Sequence, residues 1–187
     1  MARLFADWGA VVFDADQEVR RLEQPGTPVF TAIVERFGPG VVGPDGQLDR
    51  NALRSRILSN REDKVALERI VHPAVQAERD RFIENAGRSE KGILVSDIPL
   101  LYEAADPSRF DAVVLVDAPE ALRLQRVVRD RGWSLEEAQR LSRLQLPAAE
   151  KRARADYVID NDKSREALRD RAWEVWRKLI ARTEQRA

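Results

Sequence analysis

Four short apolar runs stand out against a strongly polar chain, and acid follows each of them. Ala10-Val11-Val12-Phe13 leads into Asp14-Ala15-Asp16, and Gly92-Ile93-Leu94-Val95-Ser96-Asp97 precedes Ile98-Pro99. Ala112-Val113-Val114-Leu115-Val116-Asp117 and Tyr157-Val158-Ile159-Asp160 complete the set. Near-continuous Val, Ile and Leu with little polar alternation predicts strands covered on both faces. Long helical stretches lie between the runs. That alternation predicts an α/β protein built on a parallel sheet.

The helix signals are specific. Pro119 occupies a first-turn position ahead of Ala121 to Asp130. Ser134 with Glu137 forms a capping box before Ala138, Leu141 and Leu144, and Pro147 opens a basic helix through Lys151, Arg152 and Arg154. Ser164 caps a last helix in which Leu168, Ala172, Val175, Trp176 and Leu179 recur at helical spacing, a core stripe. Between the first two strands lie roughly 75 residues, far more than an ordinary crossover. Pro25-Gly26, Gly38-Pro39-Gly40 and Pro44-Asp45-Gly46 break this stretch as turns, and helices are expected from Asp49, Arg61 and Pro73. An insertion of this size reads as a small helical substrate domain.

Composition narrows the function. The 187 residues, 43% hydrophobic and 34% charged, suit one compact domain with a real core. The formal charge is zero, which removes the basic excess expected of a nucleic-acid binder. Without cysteine there is no disulfide framework, thiolate nucleophile or Cys-ligated zinc. No apolar run approaches the ~20 residues of a membrane span, and an apolar signal core is missing, so the expectation is a soluble, cytoplasmic protein. Lys occurs only at 64, 91, 151, 163 and 178; Arg supplies the other basic positions, and its planar fork suits an anionic substrate. Exposed helix faces account for such a bias equally well.

Open parallel sheets bind ligands at the carboxyl ends of their strands. Asp117 and Asp160 there read as structural, because Asp also caps helices and starts turns. Asp14 and Asp16 carry more: two residues apart on a strand they share one side, where a pair can hold hydrated magnesium and take a proton from an attacking hydroxyl. A polar strand end is the alternative. Arg126 and Arg129, three apart, are neighbours on one helix face. Arg140, Arg143, Lys151, Arg152 and Arg154 flank Gln145-Leu146-Pro147 and form either a lid over phosphates or a solvated charged face. His72, before Pro73 at an expected helix break, reads as a local hydrogen-bonding residue. It has no Ser, Cys or metal-type partner at a recognisable spacing.

Taken in order, these motifs resemble bacterial dephospho-coenzyme A kinases. The similarity is carried by Asp14-Ala15-Asp16, Arg20, Pro25-Gly26-Thr27-Pro28, Phe37-Gly38, Asp45-Gly46-Gln47-Leu48-Asp49-Arg50 with Leu53, and Leu67-Glu68 with His72-Pro73. It continues through Asp97-Ile98-Pro99-Leu100-Leu101-Tyr102-Glu103, Arg126-Val127-Val128-Arg129-Asp130, Gln145-Leu146-Pro147 with Glu150-Lys151, and Ala155-Asp156-Tyr157-Val158-Ile159-Asp160-Asn161. The resemblance implies a P-loop kinase of the nucleoside-monophosphate-kinase type. Residues 1–16, 92–131 and 152–187 would form its core, 17–91 a helical dephospho-CoA-binding insertion and 132–151 a lid.

The implied reaction is ATP-dependent phosphorylation of the ribose 3′-hydroxyl of dephospho-CoA, with small molecules as partners and neither nucleic acid nor membrane. By position, Asp16 would orient and deprotonate that hydroxyl, and Asp14 would help hold Mg2+ through water. Arg126 would stabilise the transferring phosphoryl group, and Arg129 and Arg143 would close around the ATP triphosphate. Arg20, His72, Pro99, Leu100 and Leu101 would line the dephospho-CoA side, with Asn161 near the adenine of ATP. Phosphoryl transfer needs mostly positioning and charge neutralisation, which suits this inventory.

One departure matters. The family opens on a central strand and a Gly-x-x-x-x-Gly-Lys-[Ser/Thr] loop, whereas Met1 to Gly9 resembles the end of the helix that follows that loop. The sole Lys-Ser pair, Lys163-Ser164, has no glycines before it. The expectation is a chain that starts late, lacks the first, central strand of its sheet, leaves inner strand edges unpaired and turns over weakly. Smaller departures are Lys163 at a position often Gly and Leu141 at one often Arg, where Arg140 and Arg143 could compensate. A non-catalytic remnant that binds CoA-like ligands or a partner is the alternative, and a kinase for another hydroxylated substrate fits the Asp45-Gly46 and His72-Pro73 segments poorly.

Overall fold

A computed structural model describes residues 1–87 and 92–185, so the end of the expected insertion, at 88–91, lies outside the described residues. In chain order the elements are α1 (Ala2–Asp7), β1 (Val11–Asp14), α2 (Ala15–Leu22), α3 (Pro28–Phe37), α4 (Arg50–Ser59), α5 (Arg61–Gly87) and β2 (Leu94–Asp97). There follow α6 (Leu101–Ala104), β3 (Val114–Asp117), α7 (Glu120–Arg131), α8 (Leu135–Arg143), α9 (Ala148–Arg154), β4 (Tyr157–Asp160) and α10 (Arg165–Glu184). The chain divides into two compact units, Val11–Ile98 and Met1–Ala10 with Pro99–Ala187.

In Val11–Ile98, β1 and β2 pair in parallel from Val11↔Leu94 to Asp14↔Asp97. The helices after β1 start where local chemistry satisfies their first N–H groups. Asp14 accepts from Gln17 N at 2.9 Å to cap α2, Thr27 caps α3 ahead of Pro28, and Asp49 accepts from Asn51 N and Ala52 N to cap α4. Gly26 and Gly46, at φ +87° and +77°, allow turns that a Cβ would strain. Leu22, Val29, Ile33, Phe37, Val41, Leu48, Leu53 and Val71 form one buried core under these helices. Two buried acids brace its rim: Glu23 receives Arg50 at 2.8 Å, and Asp63 receives Arg36 at 2.9 Å.

Two expectations change here. The break at His72-Pro73 does not occur, because α5 runs on through Pro73. The proline removes one helical donor, yet Val71 beside it is anchored in the core, and packing outweighs the local penalty. Asp16, expected on the strand, stands in the first turn of α2, because the strand ends at Asp14, which becomes the helix cap.

In the other unit, β3 and β4 pair in parallel from Val114↔Tyr157 to Asp117↔Asp160. α10 carries the expected core stripe: Ala172, Val175, Trp176 and Leu179 are buried, and Trp176 meets Phe5 of α1 with ring centroids 5.4 Å apart. The Ser134–Glu137 capping box opens α8 as expected, and Gly132 ends α7 in the left-handed conformation. Among the described residues each sheet has two strands, and these are mostly half-buried, with Val11 and Val116 exposed. The expected cover on both faces is therefore incomplete.

Candidate functional site

The carboxyl ends of all four strands carry acid, and each unit uses it differently. In Val11–Ile98, Asp14 and Asp97 are register partners at the end of the two-stranded sheet, and Asp16 follows one residue into α2. Atoms packed around Asp97 push its carboxyl above the usual range although the residue keeps solvent contact, and the negative charges of Asp14 and Asp16 push it the same way. Asp97 thus feels both neighbouring carboxylates at one strand end. Arg20 projects from the last turn of the same helix, exposed, and helps hold down the carboxyl of Glu23, which burial raises. His72 is half-buried on α5.

Because Asp97 holds a proton more readily folded than unfolded, the native chain binds more protons between the ordinary carboxyl range and the raised value, so this group's contribution to stability falls as pH rises through that window. Asp97→Asn is expected to raise the unfolding midpoint at neutral pH. The gain should shrink toward about pH 4, as thermal unfolding across pH would record.

In the second unit the acids are locked by arginine. Asp117, buried, accepts from Arg152 Nη1 at 3.0 Å and more weakly from Arg123 Nη1 at 3.4 Å. The same Arg152 nitrogen donates to Asp160 at 2.7 Å, so one guanidinium ties the ends of β3 and β4. Asp117 and Asp160 thus share one arginine across the two strand ends. Beyond the strand, Asn161 N donates to the Asp117 carbonyl at 2.6 Å, and the Asn161 carbonyl accepts from Arg126 Nη1 at 3.0 Å. The structure therefore brings Arg126 and Asn161 together. It does not bring Arg129 to them: that guanidinium closes on its neighbour Asp130 with contacts of 2.6 and 3.0 Å, exposed on α7.

Arg143 ends α8 on a shallow groove with Glu136, Gln139, Arg140 and Leu144. Pro99 and Leu100 form an exposed turn, and half-buried Leu101 begins α6. An ion pair was not anticipated: Lys151, buried on α9, meets Glu103 of α6 at 2.7 Å. Both residues belong to the motifs Pro99–Glu103 and Glu150-Lys151, but nothing in their spacing signals that they touch.

A sequence profile of dephospho-CoA kinases matches residues 1–167. The chain belongs to the dephospho-CoA kinase family. It is 43% identical over 169 residues to the dephospho-CoA kinase of Symbiobacterium thermophilum, covering 90% of this chain and 71% of that one. It is 39% identical over 185 residues to that of Streptomyces avermitilis, covering 99% and 89%. Among solved structures, TT1252 from Thermus thermophilus superposes with a TM-score of 0.77 at 34% identity, over 93% of this chain and 86% of that one. Dephospho-CoA kinase from Campylobacter jejuni, at 24% identity, shares the fold with a TM-score of 0.65 over 92% and 86%. The architecture is accordingly the P-loop NTPase-like α/β fold of dephospho-CoA kinases, with parallel strand pairs and flanking helices. No helix among the described residues is long and apolar enough to cross a membrane.

Proposed function

We propose that this member of the dephospho-CoA kinase family acts by moving the γ-phosphoryl group of ATP to the ribose 3′-hydroxyl of dephospho-CoA. The observation that carries the reading is the acid constellation Asp14–Asp16–Asp97 at a strand end of a chain whose whole ordered motif series matches the family. Asp16, solvent-exposed in the first turn of α2, orients the hydroxyl and accepts its proton. Arg126 offers its guanidinium to the transferring phosphoryl oxygens from a pose fixed by the Asn161 carbonyl. Arg143 and, after release from Asp130, Arg129 neutralise the triphosphate, and Asn161 contacts the adenine. Arg20, His72, Pro99, Leu100 and Leu101 hold dephospho-CoA. Residues 17–91 form its binding insertion, and 132–151 form the lid.

The donors present fit Mg2+. This ion favours one or two carboxylates completed by water and phosphate, and Asp14 would help hold it through water. When bound, the ion neutralises charge on the phosphates. The 187 residues contain no Gly-x-x-x-x-Gly-Lys-[Ser/Thr] loop, so none of them supplies the backbone cradle that such a loop gives to phosphates. The reaction is cytosolic-type metabolism between soluble molecules, which supports placement in the cytoplasm.

Substrate binding is separable from turnover, since the core under α2 to α5 is complete within the described residues. Calorimetric titration of the 187-residue chain with dephospho-CoA is expected to release heat with a micromolar to submillimolar dissociation constant, and Arg20→Ala should weaken it about tenfold, the scale of one charge-assisted contact. Absence of heat at millimolar dephospho-CoA would remove the substrate assignment.

A further inference from the structure

The four-residue helix α6 follows directly on the Pro99–Leu101 turn, and its side chains meet the α8–α9 linker and α9 at three points. Glu103 Oε1 accepts from Lys151 Nζ at 2.7 Å and from the backbone N–H of Leu146 at 2.9 Å. Leu146 lies in the linker between α8 and α9, so a single carboxylate oxygen pins both that linker and the first half of α9. Beside it, the guanidinium of Arg154 stands 4.6 Å from the ring centroid of Tyr102. The Tyr102 hydroxyl is buried without a hydrogen-bond partner among the described residues.

These contacts differ from the surface ion pairs elsewhere on the chain. The Lys151 side chain is 11% exposed and that of Glu103 21%, whereas Arg129 and Asp130 are 70% and 56% exposed. Burial pushes the Glu103 carboxyl up, yet the Lys151 ammonium and the Leu146 amide outweigh it and hold the group below the usual carboxylate range. Leu146 is followed by Pro147, which donates no backbone hydrogen bond, and the Glu103 bond joins those made by Gln145 N–H and the Pro147 carbonyl in restraining the linker. Arg140 and Arg143 stand in the last turn of α8, directly ahead of that linker.

We propose that Glu103 is a positioning residue that couples the Pro99–Leu101 turn to the lid, so that a ligand seated on the turn fixes the α8–α9 linker and the arginines it carries. The inference rests on the reading that this turn lies on the dephospho-CoA side. A rigid helix of one turn, bonded at both ends of the connection, gives the physical path. Displacing Leu101 moves Glu103 with it, and the linker must follow or lose two charge-assisted bonds. The coupling is reciprocal, so ordering of the linker also favours the liganded turn.

Hydrogen exchange of the Leu146 amide, with and without dephospho-CoA, tests this directly. In the unaltered chain, saturating dephospho-CoA should slow that exchange about fivefold or more, the lower end of common coupling factors. Glu103→Leu removes both bonds, and Glu103→Leu with Lys151→Met also removes the stranded ammonium, so that its unfolding midpoint returns toward that of the unaltered chain. Both variants should still bind dephospho-CoA by calorimetry, yet lose the slowing at Leu146. A merely structural role predicts the reverse in the double variant, where recovered stability would bring recovered slowing. Slowing in both variants equal to that of the unaltered chain overturns the proposal. So does dephospho-CoA binding to the unaltered chain with no change at Leu146, an outcome that leaves the substrate reading intact. No binding at all defeats the substrate reading, and the coupling falls with it.

Discussion

Turnover by the 187-residue chain is expected at the floor of a coupled ATP assay, rising about 10^3-fold or more when a strand and a Gly-x-x-x-x-Gly-Lys-Ser loop are joined ahead of Met1. Such a loop wraps phosphates with backbone N–H groups at a helix N-terminus, adds a lysine for the outer phosphates and a hydroxyl for the metal. None of these is replaced within the chain, where Lys163-Ser164 follows Asp162 rather than a glycine loop. A single lost donor to developing charge commonly costs 10^2–10^3 in rate, roughly 3–4 kcal/mol, and the loop supplies several. Replacing the added lysine by Ala should forfeit most of the gain. Robust turnover by the 187-residue chain alone would contradict this part of the account.

Asp16→Asn carries the second large effect. In the loop-bearing protein it should lower kcat about 10^2–10^4-fold, the usual contribution of a positioned general base. KM for dephospho-CoA should change little, because an amide still accepts a hydrogen bond from the hydroxyl. The substitution spares the fold: the cap of α2 is Asp14, whose carboxylate receives Gln17 N, and position 16 is exposed. Asp16→Glu separates a base from a spectator, since restoring a carboxylate should recover part of kcat while the amide does not. An unchanged kcat would strip Asp16 of its role.

How far the sequence carried can be judged at particular residues. Strand positions, the Ser134 and Ser164 caps and the α10 core stripe were legible, because apolar runs, capping boxes and helical periodicity are local signals. Ser134–Glu137 and Ser164 form caps where their spacing placed them. The Arg152 bridge between Asp117 and Asp160 was not legible, since it joins residues 35 apart in the case of Asp117. Pro73 misled because a local penalty was weighed without the core contact of Val71. Asp16 was placed on the strand because Asp14 could equally end a strand or cap a helix, and Gln17 decided for the cap. The Glu103–Lys151 pair was invisible for the same reason as Arg152: only folding brings α6 to α9.

The identity of the phosphorylated product tests the central claim most directly. The loop-bearing protein, supplied with ATP, Mg2+ and dephospho-CoA, should yield dephospho-CoA heavier by one phosphate by mass spectrometry, with the new phosphorus signal coupled to the ribose 3′ position by NMR. ATP consumed without phosphorylated dephospho-CoA, or phosphate appearing on another hydroxyl, would contradict the account.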